Sequence, residues 1–302
     1  MKSTTLSQDS APTEYAETRL LVEHGFDLAR GLGISRVLVH AGLVSDQRLV
    51  EKHRKEETLI WVTDKAREGK LGSHEFFVEI PGENTNRISQ VTLGVIMAVF
   101  HGVVDPGESV VCLTGLSGSK RLDNLLIVNP KRDFPWFSKN EEDSVPKFVS
   151  VRELLQILTI ALRFASEGRE GKPIGTIFVL GEPEELKPYL RPLILNPLKG
   201  HNQKTRSIYD SSFHETMREL SAIDGAFIIN PRGIVESAGM YLDAPASASV
   251  ELPKGLGARH VAAATITAKT ESVAIVISES SRKITVFCRG LEVMMLDGDM
   301  SR

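Results

Sequence analysis

The strongest constraint on the fold is a rhythm of short, nearly continuous apolar runs separated by helical stretches. Residues 36–40, 58–62, 75–80, 109–113 and 124–128 are each of strand length and rich in Val, Ile, Leu and aromatics. Between them, residues 17–32, 45–54 and 86–99 read as helices, the first ended by Gly31-Leu32-Gly33 and the second with Ser45 as its N-cap. Short apolar strands alternating with helices predict an α/β domain with a mostly parallel sheet.

The second half carries a different pattern. Residues 151–166 form an amphipathic helix with Leu154, Leu155, Leu158 and Leu162 on one face, expected to pack on a sheet. Strands follow at 174–180, 226–229 and 233–238, with a polar loop at 196–206 and a helix at 211–220. Asn230-Pro231-Arg232-Gly233 reads as a hairpin turn. A helix at 258–268 precedes a final strand pair, 273–277 and 284–288, joined at Ser280-Ser281-Arg282-Lys283. A chain of 302 residues has room for two domains. The charged stretch 130–146, with three prolines, marks their junction. The expected division is a disordered terminus at 1–14, a first domain at 15–135, a linker at 136–148 and a second domain at 149–302.

A formal net charge of −3 gives no general attraction to nucleic acid or anionic membrane. No run reaches the roughly 18 apolar residues of a membrane span, and the first residues lack the apolar core of a signal peptide. The expected location is the cytoplasm, with neither nucleic acid nor membrane as partner. Cys112 and Cys288 lie in apolar runs and read as buried free thiols, too few for a Cys-rich zinc site.

The chemistry concentrates late in the chain. Gly255 and Gly257 lead into Ala258-Arg259-His260-Val261-Ala262-Ala263-Ala264, a run of good helix formers. Arg259 and His260 therefore fall in the first turn, where unpaired N–H groups and the positive dipole end favour a polyphosphate. Asp224 opens the strand at Gly225-Ala226. Alone, it reads as a carboxylate satisfying local backbone donors. Beside phosphates it requires a divalent cation, Mg²⁺ or Mn²⁺. The segment is not a dinucleotide fingerprint, because a third glycine would fall at His260. Nor is 114–120 a Walker P-loop, because Gly115 and Gly118 are too close and Ser119 separates Gly118 from Lys120.

At these residues the chain resembles the diadenylate cyclase domain family, whose signatures are D-G-A and, after a Gly, T-R-H-R-x-A. Gly239-Met240-Tyr241-Leu242 is similar to the family's adenine-contacting segment. Ile275-Val276-Ile277-Ser278-Glu279 is similar to its strand ending in Ser-Glu, and residues 174–179 to its opening strand. Ala258 stands where Thr is usual, and Val261 where a second Arg is usual. The resemblance implies a mixed β-sheet flanked by helices and a nucleotidyltransferase that joins two ATP into cyclic di-AMP, releasing two pyrophosphates. It implies Asp224, Arg259 and His260 as catalytic residues, with Asp224 on the metal. Gly225, Ala226, Met240, Tyr241, Leu242, Gly257, Ala258, Ser278 and Glu279 would bind ATP, Tyr241 by stacking on adenine. Glu279 is left between metal binding and a solvated charge. One ATP per subunit implies a homo-oligomer whose cyclase domains face each other.

The first half, through residues 105–119, looks like the C-terminal domain of pyruvate kinase, in which a strand ends in Thr-Gly before a Gly/Ser-rich loop. That resemblance implies a regulatory phosphate loop at Thr114, Gly115, Ser117, Gly118 and Ser119, and an archaeal-type domain combination. Two other readings stay open: an adenine-nucleotide sensor without turnover, and an interaction protein with a structural C-terminal half.

Overall fold

The computed structural model describes residues 10–64, 74–81, 85–139, 150–245 and 257–298. The chain divides into two compact units, Met1–Gly82 with Asn86–Asp133, and Glu83–Thr85 with Phe134–Arg302.

The first unit contains α1 (Ser10–Gly31), β1 (Arg36–His40), α2 (Arg48–His53), β2 (Thr58–Thr63), β3 (Glu75–Glu79), α3 (Arg87–Phe100), β4 (Val110–Thr114), β5 (Asn124–Val128) and α4 (Pro130–Asp133). Its sheet order is β3-β2-β1-β4-β5, with four parallel strands and an antiparallel edge formed by β5. The mostly parallel sheet expected from the apolar runs is thus present. Val37, Val39, Leu59, Trp61, Val111 and Leu113 face α1, meeting Val22, Phe26 and Ala29. Leu38 and Val62 point the other way, toward α3, where Gly94 lets helix and sheet approach closely. The Asn86 side chain caps α3 by accepting from the Ser89 N–H.

The second unit contains α5 (Pro135–Lys139), α6 (Val151–Glu167), β6 (Thr176–Gly181), α7 (Pro183–Leu186), β7 (Leu190–Pro192), α8 (Ser211–Leu220), β8 (Ala226–Ile229), β9 (Val235–Leu242), α9 (Ala258–Lys269), β10 (Ser272–Ile277), β11 (Lys283–Cys288) and β12 (Leu291–Asp297). Its seven strands run β12-β11-β10-β6-β8-β9-β7. Only β6 and β8 pair in parallel, and every other pairing is antiparallel. This is the mixed, helix-flanked sheet that the resemblance implied. On one face Ile177, Val179, Ala226, Ile228, Ala274, Val276 and Phe287 bury against Ala263, Ala264 and Ile266 of α9. On the other, Phe164 of α6 packs on Phe178, whose ring meets Phe227 at 5.4 Å. Burying each such side chain stabilises by about 1.5–3 kcal/mol.

Four local expectations need correction. Residues 10–14 are helical, forming the start of α1, while residues 1–9 lie outside the described residues. Ser45 does not cap α2: the N-cap position is Gln47, whose side chain makes no cap bond, and the Asp46 carboxylate before it accepts from the Arg48 N–H at 3.1 Å. Residues 136–139 of the expected linker belong to α5, with Trp136 and Phe137 fully buried; the remainder, 140–148, lies outside the described residues. The sheet continues past residue 288 into β12, and β7 adds a three-residue edge strand. Both cysteines are free and buried, and desolvation raises the Cys288 thiol to about 12.

Candidate active site

A cavity of about 1280 Å³ opens where β8, β9, the start of α9 and the β10–β11 turn converge. Asp224, Gly225, Met240, Tyr241, Leu242, Gly257, Ala258, Arg259, His260, Ser278 and Glu279 all line it, although up to 55 residues of sequence separate the first from the last. Ala226 does not; its methyl group sits in the core beneath the cavity, packed with Ile177 and Leu242. Gly255 lies outside the described residues.

Glycines set the backbone geometry. Gly225 has φ +115°, and a Cβ there would lie 2.7 Å from the Gly239 carbonyl carbon and the Met240 nitrogen. No other residue fits, because both the left-handed conformation and the backbone contact exclude a side chain. The β8–β9 register shifts just beyond Ala226, so Asp224 is presented at the strand's start rather than drawn into the ladder. Its carboxylate is 86% exposed.

Arg259 bridges the two sides of the cavity. Its Nη2 donates to Asp224 Oδ1 at 3.1 Å, and its Nη1 to Glu279 Oε2 at 3.5 Å. One guanidinium thus holds two carboxylates that are far apart in sequence. Gly175, just before β6, makes this possible: a Cβ there would stand 2.7 Å from Nη1 and 3.1 Å from Cζ of Arg259. The sequence reading missed Gly175 as a site residue, because its partner lies 84 positions away and no local signal links them.

His260, next in the chain, behaves oppositely. It is only 9% exposed, its Nε2 lies 3.4 Å from Thr285 Oγ1, and its ring meets the Phe287 ring edge-on at 6.1 Å. Burial pushes its pKa below the usual histidine value, so the neutral ring is favoured. A side chain so enclosed fixes the first turn of α9 more directly than it meets solvent. That turn begins at Gly257, which has no side chain to cap it, and the Gly257 carbonyl accepts from the His260 and Val261 N–H groups. The N–H groups of the preceding residues therefore face the cavity mouth as anion donors.

Tyr241 is 53% exposed on β9, paired with Arg191 of the edge strand β7. Ser278 Oγ lies 3.4 Å from both the Ser280 hydroxyl and the Ser281 N–H. Lys283 and Thr285 also line the cavity, and sequence reasoning had treated Lys283 as turn only. In the first unit, the Gly/Ser-rich loop uses its own groups. Thr114 Oγ1 donates to Gln90 Oε1, and Ser119 Oγ to the Arg121 carbonyl, leaving Ser117 as the remaining loop hydroxyl. Gly115 touches that same carbonyl, and Gly118 turns the chain with φ +79°.

The donor set suits a hard divalent cation. Asp224 and Glu279 each bring a carboxylate to the cavity, one on each side of Arg259, and no cluster of three His, Cys, Asp or Glu exists among the described residues. Carboxylate oxygens are the ligands that hard divalent cations take, with water and phosphate completing the shell.

A helix N-terminus, a guanidinium, two carboxylates and an exposed aromatic around one cavity are groups of the kind that a phosphorylated nucleotide needs. Comparison with known proteins agrees. The family described as DisA bacterial checkpoint controller nucleotide-binding, DAC, matches residues 163–291. A diadenylate cyclase of Methanocaldococcus jannaschii is 30% identical over 302 aligned positions, covering 92% of this chain and 96% of that protein. A diadenylate cyclase of Haloferax volcanii is 31% identical, covering 74% of this chain and 80% of that protein. The chain belongs to the diadenylate cyclase family. Among solved structures, Staphylococcus aureus DacA is similar at 20% identity and TM-score 0.30, covering 47% of this chain and 87% of that one. A Cryptosporidium parvum pyruvate kinase is similar at 14% identity and TM-score 0.30, covering 37% and 22%. No helix among the described residues is long and apolar enough to cross a membrane.

Proposed function

We infer that the protein is a diadenylate cyclase, condensing two ATP into cyclic di-AMP with release of two pyrophosphates. The observation that carries this reading is Arg259 at the uncapped start of α9, in one cavity with Asp224, Glu279 and Tyr241.

The 3′-hydroxyl oxygen of each ATP forms a bond to the α-phosphorus of the other. The bond from that phosphorus to the β-phosphate bridging oxygen breaks, pyrophosphate leaves with its electron pair, and the hydroxyl proton is lost. Tyr241 stacks the adenine, with backbone groups of Met240 and Leu242 at the base edge. Arg259, Ser278 and the α9 N–H groups, beginning at Ala258, stabilise negative charge on the phosphates. This is the dominant kind of contribution in phosphoryl-type transfer. His260 holds the first turn of α9 in place. Asp224, with Glu279 beside it, would hold Mg²⁺ or Mn²⁺. When bound, the cation supplies charge neutralisation and acidifies a coordinated hydroxyl. Asp224 orients the attacking hydroxyl.

Each subunit holds one ATP, so two subunits must face one another, and much of the rate comes from juxtaposing two nucleotides. With ATP as substrate, the expected location is the cytoplasm. The first unit, of pyruvate-kinase-C type, serves regulation or assembly, with Thr114–Ser119 as its phosphate loop; the second unit is the cyclase domain.

Incubation with ATP and Mn²⁺ or Mg²⁺, resolved by thin-layer chromatography, tests the reading. Cyclic di-AMP and pyrophosphate are expected, and chelator stops their formation. ADP and inorganic phosphate as the main products would overturn it.

A further inference from the structure

The charges around the cavity do not balance a nucleotide polyphosphate if Arg259 is the sole cation. Asp224 and Glu279 contribute two negative charges, and Arg259 is hydrogen-bonded to both. His260 is buried, and its neutral form is favoured. Among the described residues, the remaining charged side chain on the wall is Lys283, at the first position of β11.

Lys283 stands directly across the β10–β11 turn from Ser278, whose N–H donates to the Lys283 carbonyl at 2.9 Å. The register Ile277↔Ile284 and Val276↔Thr285 puts Ser278 and Lys283 opposite one another, so their side chains leave the sheet on one face. Val276, Ser278, Lys283 and Thr285 all line the cavity, as that alternation requires. Thr285, two residues on, contacts His260, which ties this face of β11 to the first turn of α9. Lys283 is exposed, and its charge also acts on the half-buried Glu292 carboxyl of β12, opposing the rise that burial causes there. Asp297 is its cross-strand neighbour on β12. Val261, in the first turn of α9, is exposed and does not line the cavity.

We propose that Lys283 binds the polyphosphate chain of ATP, supplying from β11 a second cation beside Arg259. This rests on the reading of the cavity as an ATP site and adds to it a residue for the phosphates. An ammonium on a four-carbon stem is a point charge suited to a chain of phosphates that shifts as pyrophosphate leaves.

The test compares ATP and adenosine binding by calorimetry, in Mg²⁺ buffer at low and high KCl, for the full-length protein and Lys283→Met. Met keeps the apolar stem and removes the charge. ATP affinity is expected to fall about tenfold, the scale of one charge-assisted contact, while adenosine affinity is unchanged. The difference narrows at high salt, because the contact is exposed. Lys283→Arg restores ATP affinity. Wild-type ATP affinity in Lys283→Met, or an equal loss for adenosine, overturns the proposal. Wild-type protein that binds ATP but forms no cyclic di-AMP refutes the cyclase reading and leaves the Lys283 result standing. Wild-type protein that binds no ATP overturns both.

Discussion

The two units use glycine contacts for different ends. In the first, Gly25 and Gly94 bring helices onto a sheet: a Cβ would meet Leu113 Cδ2 at 2.9 Å and Val62 Cγ2 at 2.9 Å. Both contacts serve packing. In the second, Gly175 and Gly225 surround the cavity, one pressed against the Arg259 guanidinium and the other against backbone of β9. The difference teaches that a close-packed glycine marks function only where its neighbour carries chemistry. It also sets up contrasting outcomes for the same substitution in the two units.

The largest effect is expected outside the glycines, at Asp224. Asp224→Asn keeps the shape and loses the charge, and cyclase turnover should fall by about 10²–10³. Because the carboxylate is 86% exposed and its ion pair is a surface one, the thermal midpoint should barely move. Full activity in the folded variant would place the metal elsewhere.

Next comes Gly175→Ala. The methyl group would push on the far end of Arg259 and, at 2.9 Å, on the Glu279 Cβ at the end of β10; the fold is expected to survive while kcat falls roughly 10- to 10²-fold. In an Arg259→Ala background the same change should cost clearly less, leaving only the Glu279 contact. Additive losses in that cycle would mean that Gly175 acts through packing alone, like its counterparts in the first unit.

Gly94→Ala sharpens the contrast from the other side. Its methyl group would meet Val62 and Leu38 in a closed helix–sheet contact, costing about 1–3 kcal/mol of stability. Calorimetry should show a lowered midpoint, and kcat measured well below it should be unchanged. A fall in kcat without loss of stability would show that the first unit contributes to catalysis.

The smallest effect is on acid stability, and both units share it. His40 and His260 have pKa values depressed by burial, so the unfolded chain takes up protons first as pH falls. Their stabilising contribution is intact above the ordinary histidine value of about 6.5 and is lost as pH drops toward the depressed folded values. Carboxylates such as Asp123, held low by Arg87, lose theirs only at still lower pH. Replacing either histidine with Gln should flatten the midpoint-against-pH curve below about 6.5; an unchanged curve would remove that histidine from the account.

Much of this was legible in the sequence, for identifiable reasons. The strands of the first sheet are continuous apolar runs, and such runs report burial on both faces. The Arg259-His260 helix start was readable because Gly257 and the alanines mark the boundary locally. What was not readable depends on contacts distant in sequence. Gly175 and Lys283 enter the site only after β6, β10 and β11 pair. The burial of His260 depends on Thr285 and Phe287 in the same way. β7 is three residues long and ends in proline, too short for a period to show. Trp136 and Phe137 stand among charges and prolines that read as a linker, yet α5 packs on β12.

Hydrogen exchange of the full-length protein, with and without ATP and Mn²⁺, tests most directly whether the nucleotide chemistry resides in the second unit. The account predicts protection at Gly225, Met240–Leu242, Ala258–His260 and the turn from Ser278 to Lys283, with the amides of Thr114–Ser119 unchanged. Protection confined to the Thr114–Ser119 loop, with the α9 start unaffected, would contradict it.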